Sequence, residues 1–330
     1  MSKHFAHHGV IVGTDGSPWS QAAVRWAARE AVMRHVPLTV VHVVTPISVA
    51  VSALAWPAGR VPQEVLEIQE NDARGVIADA IKVVKDDTTH SDRPEIGSEI
   101  LFGRYVPALA DLSKEAQLMV VGCRGRTGQH RLLGSVSTGL IHHAHCPVAV
   151  IHDEVSSLPQ SPGLPVVVGI DGSRASELAT AIAFDEASWR GVDLVALHVW
   201  SDADTPTIIG IDSAGVQSAA GKTLAESLSG WQERYPEVTV QRVVEFERPV
   251  RHLLEQAEKA QLVVVGSHGR GGFGGMLLGS VSTAVAQEAR VPVIVARQHK
   301  RHKRKRSGAI WARVHAHIAI PVDRSASSWP

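Results

Sequence analysis

Cysteine is nearly absent: Cys123 and Cys146 are the two in 330 residues. That is too few for a disulfide framework and suits a reducing compartment. No uninterrupted apolar run approaches the ~20 residues that cross a bilayer. The opening stretch MSKHFAHHGVIVGTDG lacks a signal-peptide pattern, so a cytoplasmic protein with no membrane span is expected. Net charge is absent too, with 33 basic residues against 33 acidic, but the balance is uneven along the chain. Residues 297–306 hold seven Lys or Arg, whereas residues 1–296 carry 24 basic and 32 acidic residues, a net charge of about −8. An acidic body argues against nucleic-acid binding through the main surface. Also missing is G-x4-G-K-[ST], so no P-loop lysine is available to phosphates.

What is present is one unit written twice. Val10–Gly16 (VIVGTDG) recurs as Val167–Gly172 (VVGIDG), and Leu38–Val44 (LTVVHVV) as Leu194–Trp200 (LVALHVW). Leu118–Thr138 (LMVVGCRGRTGQHRLLGSVST) recurs around Val263–Thr283 (VVVGSHGRGGFGGMLLGSVST), and Cys146–Ile151 as Val291–Ala296. The offset is 156 residues from Asp15 to Asp171 and 144 from Gly122 to Gly266, so the first copy has a longer excursion at Ser48–Arg60. A period of this length means duplicated domains rather than a solenoid. The expected division is residues 1–155, a Pro-rich linker at 156–165, a second domain at 166–297, and a basic, disordered tail at 298–330.

Within copy one, strands are expected at Val10–Gly13, Leu38–Val44, around Glu99–Phe102, Leu118–Gly122 and Val148–Ile151. Helices are expected after Ser17-Pro18, near Gln63–Val84, after Pro107 and from Ser135. Continuous apolar strands covered by crossover helices imply a parallel sheet buried on both faces. The fold class is therefore α/β: two tandem doubly wound domains, each with a five-stranded parallel sheet flanked by helices. Ligands of such domains sit at the C-terminal ends of the strands.

Both glycine loops and two aspartates fall at those ends. A strand closing at Gly122 or Gly266, a glycine-rich loop and a helix opening at Ser135 or Ser280 make a natural phosphate cradle. Glycines let backbone approach a ligand, and the N–H groups of the first helical turn face it. Asp15 and Asp171, in G-[TI]-D-G-S after Gly13 and Gly169, offer a carboxylate to ribose hydroxyls, purine-side amines or a phosphate-bound metal. The alternative reading is an aspartate capping the N–H groups of a strand-to-helix turn. His42 and His198 read as sheet core.

With these motifs in place the chain resembles the universal stress proteins of the nucleotide-binding type, an adenine nucleotide alpha hydrolase-like fold. Their pattern is G-x2-G-x9-G-[ST] with an aspartate after the first strand. Copy two matches it through Gly266, Gly269, Gly279 and Ser280. Copy one has Gly122, Gly125, Gly134 and Ser135, with eight residues rather than nine before Gly134. The resemblance implies ATP in each domain, with or without Mg2+. It places Gly13, Asp15 and Val43, or Gly169, Asp171 and Val199, near adenosine. The phosphates would meet Cys123, Arg124, Arg126, Thr127, Gly128, Val136 and Ser137 with the first loop. In the second loop they would meet Ser267, His268, Arg270, Gly271, Gly272, Val281 and Ser282. It further implies that the last strands pair the two domains or pair chains into a homodimer, and that a stress-response regulator with an unidentified protein partner hydrolyses ATP slowly at most. No catalytic residue is assigned, because neither loop carries a neighbouring acid–base pair. The rivals are a slow ATPase or nucleotidyl-transfer enzyme using the same pockets and a nucleotide-free scaffold.

Two further features carry less. The cluster His142, His143, His145 and Cys146 has ligand chemistry, but copy two has Gln287–Val291 in its place, which argues against a metal site. Cys123 invites a redox reading, yet Ser267 replaces it in copy two, so packing is favoured. The run Lys300–Arg306 is open to contact with nucleic acid or anionic lipid, to a solvated state, or to folding back on the acidic body.

Overall fold

Short apolar runs separated by amphipathic stretches set the order of elements. The computed structural model describes residues 8–45, 62–89, 92–125, 133–152, 163–200, 213–269 and 279–297. Domain one runs β1 (His8–Gly13), α1 (Pro18–Met33), β2 (Leu38–Val44), α2 (Gln63–Asp87), β3 (Ile96–Phe102), α3 (Tyr105–Leu112), β4 (Ala116–Gly122), α4 (Ser135–His143) and β5 (Val148–Ile151). Domain two begins with β6 (Val166–Ile170), α5 (Arg174–Arg190), β7 (Leu194–Trp200), α6 (Ser213–Leu228) and α7 (Trp231–Arg234). It continues through β8 (Val240–Phe246), α8 (Pro249–Ala257), β9 (Leu262–Gly266), α9 (Ser280–Glu288) and β10 (Val293–Ala296).

Local chemistry explains the helix starts. Ser17 has extended backbone, and its hydroxyl accepts the Ser20 N–H at 3.3 Å while Pro18 opens the helix. Ser173 caps α5 in the same way, accepting from Ser176 at 3.2 Å. The helices end differently: α5 stops at Gly191 with φ +62°, whereas the matching position after α1 is His35 at φ +54°. Pro107 lies inside the first turn of α3, where its missing N–H would have had no intrahelical partner, so the helix starts two residues ahead of the proline. Strand β3 is three residues longer than its apolar pattern suggests. Its backbone pairs with β2 from Leu38↔Ile96 to Val44↔Phe102, and pairing sets its length.

The five strands of each domain are parallel, and the two sets fuse into one ten-stranded sheet in the order β3-β2-β1-β4-β5-β10-β9-β6-β7-β8. The join is the antiparallel pair β5·β10, with Val150↔Val293 and Val148↔Val295. The last strands therefore pair the two domains within one chain. Alternation along each strand feeds two cores: Val10 and Val12 face one side, and Ile11 the other. On the join, Ile151 and Ile294 continue the first core, Val150 and Val293 the second, so each core runs unbroken across both domains. No helix among the described residues is long and apolar enough to cross a membrane. The Ser48–Arg60 excursion, most of the linker and the basic tail lie outside the described residues.

Candidate functional site

The order of strands reverses direction at β1/β4 and again at β6/β9, and the crevices there are where a doubly wound sheet receives ligands. In domain one the crevice is bounded by Asp15, just beyond β1, and by Gly122–Gly125, closing β4. In domain two the counterparts are Asp171 and Gly266–Gly269.

Each aspartate does two things. Asp15 Oδ1 accepts the Ser17 N–H at 3.0 Å, and Asp171 Oδ1 accepts that of Ser173 at 2.9 Å. The turn-capping reading of these residues is therefore present in the structure. The second oxygen reaches over the glycine loop. A Cβ placed on Gly125 would lie 2.8 Å from Asp15 Oδ2, and one on Gly269 would lie 2.7 Å from Asp171 Oδ2. The carboxylate thus closes against bare backbone at the same place in both domains.

The strand-ending glycines have a different reason. A Cβ on Gly122 would meet the Trp19 carbonyl carbon and oxygen at 2.8 Å, and one on Gly266 the Ala175 carbonyl carbon at 2.8 Å. Strand end and first helical turn touch through backbone. Gly266→Ala is expected to cost about 1–3 kcal/mol, the range for forced overpacking. Gly13→Ala is expected to cost much less, because a Cβ there meets Leu109 at an ordinary 3.5 Å. Urea unfolding of both variants checks this, and equal losses would contradict it.

Beyond the loops, α4 and α9 begin at Gly134 and Gly279 without a side-chain cap. Ser135 and Ser280 are exposed at the first helical position, while Ser137 and Ser282 are buried. The Ser137 hydroxyl donates to the Gly122 carbonyl at 2.7 Å, and Ser282 donates to that of Gly266. These inner serines tie the helix to the strand end, and Gly134 N–H to Cys123 O at 2.7 Å and Gly279 N–H to Ser267 O at 2.8 Å close the loop neck. Val136 and Val281 are half-buried against the second core. Val43 is buried in that core and Val199 packs against it. Cys123 and Ser267 are buried, and Ser267 Oγ lies 3.0 Å from His268 Nδ1. Arg126, Thr127, Gly128, Arg270, Gly271 and Gly272 lie outside the described residues.

Two residues read as plain core have a positioning part. His42 Nδ1 donates to the Thr14 carbonyl, and His198 Nδ1 to the Ile170 carbonyl, each at 2.7 Å. Those carbonyls belong to the residues immediately before Asp15 and Asp171. The signal in the sequence was the identical 28-residue spacing in both copies.

In the histidine–cysteine cluster Cys146 is buried, whereas His143 is exposed. Burial pushes the Cys146 thiol up to about 12, so it stays neutral, and its Sγ lies 3.4 Å from the Pro147 carbonyl. No group of three or more His, Cys, Asp or Glu side chains among the described residues is placed to hold a metal. The domain join passes close to both loops. Ser267 N–H donates to Ala296 O at 3.0 Å, and the next residue, Arg297, crosses to donate to the Ile141 carbonyl in α4.

Comparison with known proteins gives one answer. The model of the universal stress protein family matches residues 7–152 and again residues 164–297. The universal stress protein Rv2623 of Mycobacterium tuberculosis is 55% identical over 300 residues, covering 90% of this chain and 99% of that protein. Universal stress protein Mb2028c of Mycobacterium bovis is 51% identical over 299 residues, covering 90% and 100%. Among solved structures, a universal stress protein from Archaeoglobus fulgidus superposes with a TM-score of 0.65 at 20% identity, over 89% of this chain and 100% of that one. At that identity the structural match speaks for the fold.

Proposed function

This chain belongs to the universal stress protein family, with its domain present twice, and from that premise we propose that each of its two crevices binds ATP in a stress-response regulator. The observation that carries the reading is the pairing of Asp15 with Gly125 and of Asp171 with Gly269. A Cβ would fill the contact in either domain, while the neighbouring side chains differ, Arg124 against His268 and Cys123 against Ser267. The backbone cradle and the carboxylate are the same in both copies although those side chains differ.

In this reading Asp15 and Asp171 receive the ribose hydroxyls. The loop N–H groups and the first turns of α4 and α9, with Ser135 and Ser280 exposed there, receive the phosphates and any Mg2+ they carry. The nucleotide supplies a polyanion whose presence or absence a partner can sense. The reading is of binding, with hydrolysis slow at most. The proposed setting is the cytoplasm, where Cys123 and Cys146 remain free thiols. Since β5 and β10 already pair with each other, a homodimer would use another surface.

Titration calorimetry with ATP and Mg2+ tests the proposal. Wild type is expected to show two classes of site, Asp15→Ala to retain the second and Asp171→Ala the first. The second site is expected to be tighter, because nine residues separate Gly269 from Gly279 and eight separate Gly125 from Gly134. Equal affinities in the two variants would overturn the asymmetry. Absence of binding to wild type would overturn the function.

A further inference from the structure

Helix α4 opens at the first crevice, and its other end is held by the second domain. It has nine residues, Ser135–His143, and spans about 14 Å. A helix this short is marginal alone and depends on tertiary ties. Its start lacks a side-chain cap and is fixed to the strand end instead, by Gly134 N–H to Cys123 O and by the Ser137 hydroxyl to the Gly122 carbonyl, each at 2.7 Å. At its end the last carbonyls have no partner within the helix. Leu140 O accepts the Ala144 N–H at 2.8 Å, and the Ile141 carbonyl accepts from the Arg297 guanidinium. Arg297 directly follows β10, whose last residue, Ala296, accepts the Ser267 N–H of the second glycine loop at 3.0 Å. One short helix therefore joins the first crevice to the loop of the second.

The opposite arrangement is present with different chemistry. His152 follows β5 as Arg297 follows β10, and Ala286 holds the place in α9 that Ile141 holds in α4. His152 is 8% exposed and lies beside the backbone of Ala286 and Val291, but neither ring nitrogen makes a hydrogen bond. Burial pushes it down to about 4, so the ring is neutral at neutral pH. Domain two thus gives α4 a bonded cation, whereas domain one gives α9 a neutral imidazole.

We propose that Arg297 is a positioning residue for the first crevice: from the second domain it anchors the last turn of α4 and so fixes the first turn, where the phosphates would lie. The inference rests on the reading of the crevices as ATP sites. A cation at the C-terminal end of a helix is favoured by the helix dipole, whose positive end faces the crevice. Burial works against the Arg297 charge, but a guanidinium keeps it. Its neighbours do not cancel that charge. The Cys146 thiol stays neutral. Burial, then the charges of His143, Arg297 and His268, hold His142 below the ordinary histidine range. His268 belongs to the second glycine loop, so the end of α4 feels that loop directly.

Calorimetry with ATP and Mg2+ on full-length variants tests the inference, with Arg297→Ala placed in Asp171→Ala, which reports the first crevice, and in Asp15→Ala, which reports the second. In the first background Arg297→Ala is expected to weaken ATP about twofold to thirtyfold, the range for residues that act on a site from a distance. In the second it is expected to change little. A merely structural loss would weaken both crevices alike, since β10 belongs to the sheet they share. Arg297→Lys keeps a cation and a donor for the Ile141 carbonyl, and its first-site affinity is expected to lie between those of arginine and alanine. If Arg297→Ala does not fold, Arg297→Met fills the same space without a donor and takes its place. Equal weakening of both crevices, or an unchanged first crevice, would overturn the inference and leave ATP binding standing. Absence of binding to wild type would overturn the ATP reading and this inference with it.

Discussion

Arg190→Ala is expected to lose about 3–5 kcal/mol of stability, the cost of leaving a buried charge without its partner. Its guanidinium holds Glu30 Oε2 at 2.7 Å, Glu186 Oε2 at 2.9 Å and Gln261 Oε1 at 3.3 Å, so truncation strips a cation from both buried carboxylates at once. Arg34 alone would then face two glutamates. Water has little access to repair the loss, because both carboxylates are 0% exposed. The control is Arg29→Ala. Arg29 also makes a two-pronged ion pair, to Asp87 at 2.6 and 2.7 Å, but its side chain is 44% exposed. That pair is expected to contribute about 1 kcal/mol or less, since solvent screens it. Urea unfolding of the two variants separates the cases. Similar losses would mean that burial of the quartet Glu30, Arg34, Glu186 and Arg190, formed where α1 meets α5, does not govern its energetics.

Asp171→Ala is expected to weaken ATP at the second crevice tenfold to a hundredfold, about the 1.5–3 kcal/mol that a hydrogen bond to a charged group contributes. Part of the effect is indirect. The same carboxylate accepts the Ser173 N–H at 2.9 Å, so the alanine variant also loses a turn cap and some stability. Asp171→Asn separates the two roles. The amide oxygen keeps an acceptor for Ser173 while the charge over Gly269 is gone, so stability is expected to recover more fully than affinity. Recovery of both together would assign Asp171 to the turn and leave the ligand elsewhere.

The doubled unit, the parallel strands and the glycines that end β4 and β9 were legible because each leaves a local mark: apolar runs of strand length, Ser-Pro at a helix start, glycines at fixed spacing. The domain join was legible only through the family resemblance, since the two four-residue strands β5 and β10 carry no sign of which edge they meet. The charge quartet was not legible at all. Glu30 with Arg34, and Glu186 with Arg190, look like ordinary surface pairs one helical turn apart. Their burial comes from the other domain, 156 residues away, and periodicity within one helix cannot register it. The glycines divided similarly. Gly122 and Gly266 are required by backbone packed against them, Gly125 and Gly269 by an aspartate, whereas Gly13 has ordinary room for a Cβ. Spacing alone gave all of these equal weight. His42 and His198 were placed in the core by their strands, but their bonds to the carbonyls ahead of Asp15 and Asp171 depend on the register between β1 and β2 and between β6 and β7.

The account turns on whether the two crevices hold nucleotide, and the most direct measurement is the content of the protein as purified. The protein is prepared without added ligand and denatured, and the released small molecules are identified and quantified. The account predicts adenine nucleotide, chiefly ATP, with the share retained by Asp15→Ala exceeding that retained by Asp171→Ala. Release of no nucleotide, with no uptake from a solution of ATP and Mg2+, would contradict it and leave a tandem scaffold whose cradles serve the fold alone.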